Sequence, residues 1–317
     1  MTTINLNTGS DILCDLSQLG MLEISGADAI TFLQGQLTND VKLLLGTNAH
    51  YTAYCNPKGR MLALFLAFMH HNSQLGDHHH LQLNRELLEP IMKRLKMYVM
   101  RSKVEIKDVS GSIVKFGLNG PEAASLLSPM FSQIPIQDFE LVSLENGAIL
   151  KLPSANHNAR FEIFTDVASA PLIWDALKND CQIVDHNYWE LLEIQAGIPD
   201  VSLATQEQFV PQMLNLDILN AINFKKGCYT GQEIVARTHY LGSVKRRTYL
   251  AEIASLAAPG DIVTDAVQSE IGQIVRAAPN LIGSFDVLAE VRIDAVAGGV
   301  LTCNGVPLLI KTLPYSL

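Results

Sequence analysis

Cys228 stands between two glycines in Lys226-Gly227-Cys228-Tyr229-Thr230-Gly231-Gln232-Glu233, and no other residue of the chain is better placed to do chemistry. A cysteine attacks or ligates as its thiolate, and thiolates form beside helix N-termini and cationic side chains. Thr230 and Glu233 have the T-x-x-E spacing of a reciprocal helix cap, in which the hydroxyl accepts from the third backbone N–H and the carboxylate reaches back to the first. That spacing predicts a helix through Ile234-Val235-Ala236 that stops near Leu241-Gly242. Cys228 then lies two residues ahead of the N-cap, where free N–H groups and the helix dipole favour negative charge. Lys225, Lys226 and Arg237 add positive potential. Gly227 and Gly231 are expected to permit backbone angles or close approaches that a β-carbon would block, and Tyr229 and Gln232 to shape the loop. A glycine-rich turn around a small buried cysteine satisfies the same string.

The remaining chemistry-bearing residues narrow the choices. Cys14, Cys55, Cys181 and Cys303 are scattered and never form C-x-x-C, so the sequence holds no disulfide framework and no local zinc or iron–sulfur ligand set. His78-His79-His80, with His70 and His71 nearby and Gly76-Asp77 adjacent, reads as a solvated hairpin tip, and no metal is expected there. A net charge of −9 argues against an extended nucleic-acid duplex as ligand. Basic residues nevertheless gather in two islands, Lys93–Lys107 and Lys225–Arg247, each with six Lys or Arg against one acid. The second flanks the cysteine loop, and a small polyanion is the ligand that such islands fit.

These residues must be positioned by elements that the apolar patterning marks out. Met21–Ser25, Tyr51–Cys55, Met61–Met69, Leu81–Asn84 and Val104–Lys107 read as strands; Ala27–Leu37 and Glu86–Met97 read as amphipathic helices. A second block roughly repeats this order, with strands at Ile113–Leu118, Ala148–Leu152 and Arg160–Thr165 and helices ending near Leu127, at Ala170–Lys178 and at His186–Ala196. After Arg247 come short β runs separated by glycine and proline. The pattern predicts an α+β fold with a first α+β domain over 1–112, a second over 113–243 that carries the cysteine loop, and a C-terminal all-β barrel over 244–317. With 317 residues, 48% of them hydrophobic, there is material for these cores, and no apolar run reaches the roughly 18 residues that span a bilayer. Met1–Asn7 is polar and lacks the layout of a secretory signal, so no membrane partner and a cytoplasmic setting are expected.

The string Lys225-Lys226-Gly227-Cys228-Tyr229-Thr230-Gly231-Gln232-Glu233, followed by Val235-Ala236-Arg237, resembles the signature of the YgfZ-type folate-binding proteins, relatives of the glycine cleavage T-protein, an aminomethyltransferase. Gln34-Gly35-Gln36-Leu37-Thr38-Asn39-Asp40, Cys55-Asn56-Pro57-Lys58-Gly59-Arg60, Tyr98–Val104, Trp189, Ile194–Pro199 and Phe209–Gln212 agree with it in order along nearly the whole chain. The resemblance implies a T-protein-like ring of two interleaved α+β domains and a β-barrel, with tetrahydrofolate or a one-carbon derivative in its central hole. It also implies a role in iron–sulfur cluster assembly or repair, serving partners such as a tRNA methylthiotransferase and seen through tRNA methylthiolation. Trp189 is the position that contacts folate, by stacking; Arg101 and Lys226 are placed to meet its glutamate tail as charge-assisted partners. Tyr229 and Gln232 stand with the folate-binding loop.

Two departures qualify the resemblance. Aminomethyltransferases carry an Asp-Asp pair on the strand after the N-x-x-G turn, and here those positions are Ala63 and Leu64. Without a carboxylate nothing there orients or deprotonates the folate amine, so this chain is not expected to be an aminomethyltransferase. Leu19 stands where an aromatic is expected to contact folate. Cys228 is left with three roles: ligating iron or a cluster with ligands from elsewhere, acting on a folate-borne one-carbon unit, or holding a rigid loop. The reading is a folate-binding accessory protein for iron–sulfur-dependent tRNA modification. A one-carbon transferase using Cys228, or an RNA-binding module with direct tRNA contact through the basic islands, are the alternatives.

Overall fold

The computed structural model describes residues 9–72 and 76–317; the polar start Met1–Asn7 lies outside them. In chain order the strands are β1 (Ile12–Asp15), β2 (Leu19–Ser25), β3 (Ala49–Cys55), β4 (Met61–Asn72), β5 (Gly76–Asn84), β6 (Glu105–Asp108), β7 (Ile113–Gly120), β8 (Leu141–Leu144), β9 (Gly147–Ala155), β10 (Asn158–Asp166) and β11 (Gln182–Val184). The C-terminal part adds β12 (Arg246–Ile253), β13 (Ile262–Thr264), β14 (Glu270–Pro279), β15 (Phe285–Arg292), β16 (Leu301–Cys303) and β17 (Val306–Lys311). The helices are α1 (Ala29–Gln34), α2 (Arg85–Val99), α3 (Ala123–Leu127), α4 (Ala170–Leu177), α5 (His186–Gln195), α6 (Gln232–Tyr240) and α7 (Ile293–Gly298). No helix among the described residues is long and apolar enough to cross a membrane.

The first sheet runs β3-β4-β5-β2-β6 and is antiparallel throughout. Helix α2 covers it with Leu87, Leu88, Ile91 and Leu95, the i, i+3, i+4 face that a 3.6-residue period puts on one side; Asn84 caps the helix by accepting from the Glu86 N–H at 3.2 Å. The second sheet runs β11-β1-β7-β10-β9-β8, with one parallel pair, β1 on β11. The C-terminal strands close a six-stranded barrel, β12-β15-β14-β13-β16-β17, so no edge is left unpaired.

Chain order and spatial order differ at two places. Strand β1 sits inside the second sheet, between β11 and β7, so the first part of the chain does not form one domain over 1–112. The segment after α5 returns to the first sheet: Met61 N–H donates to Phe209 O at 2.8 Å, Asn223 N–H to Thr38 O at 3.0 Å and Thr230 N–H to Gly35 O at 3.2 Å. The cysteine loop is therefore packed on the first sheet's side of the molecule, not carried by the second domain. The histidine triplet is also relocated. It lies within β5, where His79 and His80 are buried and His78 is partly buried with Nδ1 3.0 Å from Glu23 Oε2, so it is not a solvated tip.

Candidate functional site

A cavity of about 290 Å³ lies where all three units meet. Strand alternation aims Leu64 and Leu66 of β4 into it, while Ala63 points to the other face. Of the two positions that lack an aspartate, Leu64 is thus the one on the cavity wall. The first sheet adds Tyr51, Gln82 and Leu19 among others, β10 supplies Glu162, α5 supplies Trp189, Glu190 and Glu193, and Arg276 reaches in from barrel strand β14. Helix α5 is held in place by Asp185, whose carboxylate accepts from the Asn187 and Tyr188 N–H groups at 3.1 and 3.3 Å.

Trp189 is only 2% exposed. A β-carbon on Gly117 of β7 would lie 2.4 Å from its Cζ3, so the absence of a side chain at Gly117 is what lets the indole reach the sheet. The Arg160 guanidinium lies 5.5 Å from the ring centroid. The ring lines the cavity yet offers little exposed surface to it. What it keeps is an indole N–H that has no partner among the described residues, and Gln82 Oε1 on the same cavity is unpaired as well. Buried polar atoms of this kind cost free energy unless something else satisfies them.

Carboxylates dominate the wall. Glu162 accepts from Gln82 Nε2 at 2.8 Å, and burial, reinforced by the neighbouring Glu193, pushes its carboxyl up to about 7. Burial raises Asp200 to about 7 as well. Arg276 balances them only in part: it donates to both oxygens of Glu190 and, at 3.1 Å, to Ile198 O, and its Nη1 lies 3.8 Å from Glu193 Oε2. Arg160 is fully buried, with Nε donating to Pro153 O at 3.1 Å and Nη1 2.9 Å from Glu193 Oε1.

The cysteine loop is built separately. Gly231 has φ +84, and a β-carbon there would lie 2.5 Å from Asn56 O and 2.9 Å from Gly59 Cα, so glycine alone permits the loop to lie on the Asn56–Arg60 turn. Gly231 is also the N-cap of α6, without any side-chain cap. The reciprocal Thr230–Glu233 cap does not form, because the chain takes a left-handed step at Gly231 that starts the helix one residue later. Gly227 needs neither a positive φ nor the space, since a β-carbon there meets nothing within 4 Å. We expect Gly231→Ala to cost at least about 2 kcal/mol in denaturant unfolding and Gly227→Ala less than about 0.5 kcal/mol. Equal effects would mean that the contact with Asn56 yields readily.

The residues expected in one site are thus divided. Leu19 and Trp189 face the cavity. Cys228 is exposed on the loop, and neither it nor Tyr229 or Gln232 belongs to the cavity wall. Lys226 is buried and donates to Leu37 O at 2.6 Å and Asn39 O at 2.8 Å, with Nζ 5.3 Å from the Tyr229 ring centroid. Burial lowers its ammonium to about 8. It holds the loop down and is not part of the cavity wall. Arg101 is exposed after α2, away from the cavity. The second basic island also dissolves: Arg246 pairs with Glu290 and Arg247 binds Asp217 through two nitrogens, leaving Lys225, Arg237 and Lys245 as cations without ion-pair partners among the described residues.

With this geometry in hand, comparison with known proteins places the chain. Residues 9–221 match the GCVT N-terminal domain. Over 96% of its length the chain is 32% identical to the tRNA-modifying protein YgfZ of Yersinia pestis (strain Pestoides F), covering 92% of that relative. The chain belongs to the YgfZ family. The tRNA-modifying protein YgfZ of Escherichia coli O157:H7 is 33% identical over 96% of this chain and 93% of its own. The fold agrees with the aminomethyltransferase T of the glycine cleavage system from Bartonella henselae at a TM-score of 0.75, with 17% identity, over 96% of this chain and 86% of that one. Within this YgfZ member, sequence reading missed the cavity residues Gln82, Glu162, Asp200 and Arg276, and Gly117 and Arg160, which pack against Trp189. The one visible signal was Arg160-Phe161-Glu162, two charges at i and i+2 set among the apolar Ala159, Phe161, Ile163 and Phe164.

Proposed function

We propose that the chain binds tetrahydrofolate or a one-carbon derivative in the central cavity and acts as an accessory protein for iron–sulfur enzymes that modify tRNA, a tRNA methylthiotransferase among them. The observation that carries the folate reading is the donor–acceptor layout of the cavity. A pterin ring presents an amino group and a ring N–H as donors beside a carbonyl acceptor. Glu162 and Gln82 Oε1 match the donors, and the unpaired Trp189 N–H matches the carbonyl. Leu64 and Leu66 leave an apolar wall where a transferase would need a general base.

Two features favour an accessory role over a transferase. No carboxylate stands at Ala63 or Leu64, and Cys228 is exposed away from the cavity wall, where it cannot attack a folate seated within it. An outward thiol on a rigid loop is instead available to a partner's iron or to a small thiol. RNA binding through the basic islands is disfavoured because half of the second island serves internal contacts.

The deciding experiment measures the methylthiolated fraction of tRNA in cells that lack the protein, complemented with wild type, Cys228→Ala or Trp189→Ala. Wild type is expected to restore it and Cys228→Ala to fail at equal abundance, with folate binding in vitro unchanged. Full rescue by Cys228→Ala would end the thiol's functional role, and full rescue by Trp189→Ala would end that of the cavity.

A further inference from the structure

The cleft between the two sheets holds a second chamber. Along β4 the cavity-facing residues continue from Leu64 and Leu66 to Phe68 and His70; along β5 they run back from Gln82 to His80 and His78; along β10 they pass from Glu162 to Phe164. Phe68 packs on His80 at 5.1 Å between centroids and on Phe164 at 4.8 Å. This aromatic group stands at the step from the first chamber to a second of about 300 Å³.

The second chamber differs in chemistry from the first. Glu23, Glu145 and Asp166 line it, and no lysine or arginine among the described residues does. Burial holds the imidazole of His70, one of its three histidines, below its usual range. Glu23 Oε2 lies 3.0 Å from His78 Nδ1 and 3.6 Å from His80 Nε2. The opposite ring nitrogens, His78 Nε2 and His80 Nδ1, have no partner among the described residues, although His80 is 6% exposed. In a neutral imidazole that turns its N–H toward Glu23, the opposite ring nitrogen is an acceptor. Unpaired acceptors, carboxylates and an aromatic wall all favour positive charge with N–H donors. Among the described residues no three His, Cys, Asp or Glu side chains converge as a metal ion requires, so the complementary ligand spreads its donors over several ångströms.

We propose that this second chamber binds a small planar organic cation of the amidinium, guanidinium or protonated amino-heterocycle class, its ring against Phe68 and Phe164 and its N–H groups directed to the histidine nitrogens and the carboxylates. The site is independent of the folate reading.

Benzamidine is the probe and benzamide its neutral match in shape. By isothermal titration and by NMR of the histidine ring protons, benzamidine is expected to bind the full chain at least tenfold more tightly than benzamide, moving the His70, His78 and His80 signals and not that of His157. Glu23→Gln/Glu145→Gln, checked for an unchanged fold by circular dichroism, should weaken benzamidine at least tenfold. Equal affinities for the two probes, absence of benzamidine binding, or shifts confined to other histidines would each overturn the assignment. The comparison of probes on the unaltered protein keeps the test decisive even if the double variant fails to fold.

Discussion

Gly117→Ala should close the central cavity from behind. The new methyl group would lie 2.4 and 2.5 Å from two carbons of the Trp189 indole, closer than real β-carbons approach anything. Gly117 cannot retreat, because its strand is paired on both sides, with Cys14 of β1 and Glu162 of β10. The indole must therefore move, and it is bounded by Arg160 and almost fully enclosed. Overpacking of this kind costs about 1 to 3 kcal/mol in folding stability. The effect on binding should be larger, since the displaced ring enters the space a ligand needs and takes its N–H with it. We expect Gly117→Ala to lose reduced-folate affinity by more than tenfold in isothermal titration. The chain's two tryptophans, Trp174 and Trp189, allow a second readout: folate quenching of Trp189 fluorescence should disappear while Trp174 emission persists. Wild-type affinity in a fully folded Gly117→Ala protein would show that the indole shifts freely and is not a wall of the site.

The contrast between Gly117 and Gly227 shows what a sequence can and cannot disclose. Gly227 lies in the conspicuous motif and needs to be glycine for no steric reason, whereas Gly117, inside an ordinary apolar strand, is indispensable to the cavity. Elements set by local periodicity were legible: α2, β3, β4, β9 and β10 all follow runs of apolar residues with the right period, and the barrel follows its glycine and proline punctuation. The short strands β1, β8, β11 and β16 were not, because three or four residues carry too little pattern and owe their conformation to partners distant in sequence, as Ile12 does to Gln182 and Asn119. The cavity's charges were hidden for the same reason. Nothing near Glu190 in the chain marks it as paired; the barrel brings Arg276 to it from 86 residues away. Lys226 differs in the opposite direction: beside Cys228 it reads as a cation available to a ligand's glutamate tail, yet backbone carbonyls of Leu37 and Asn39 hold it inward.

Glu162→Gln is expected to stabilise the protein and weaken its ligand binding. Burial raises the Glu162 carboxyl from its ordinary value near 4.5 to about 7, so between those values the folded state holds a proton that the unfolded state has released. More protons bound in the folded state means that stability falls as pH rises through that window and levels off above about 7. The glutamine carries no such penalty, while its amide oxygen still accepts from Gln82 Nε2, now at 2.8 Å from the carboxylate. The variant should therefore match wild type in unfolding free energy near pH 4.5 and exceed it by about 2 to 3 kcal/mol at pH 8. Binding should move the other way. A ligand that donates to Glu162 needs the carboxylate, so wild-type affinity for a reduced folate should fall by up to tenfold per pH unit below about 7, in the limit where one proton is displaced on binding. In Glu162→Gln that pH dependence should vanish and the affinity at pH 8 should drop at least tenfold. A buried charge that costs stability yet strengthens binding is a group kept for its ligand. If removing Glu162 instead lowered stability and left folate affinity untouched, the residue would belong to the core and the donor edge of the ligand would lie elsewhere in the cavity.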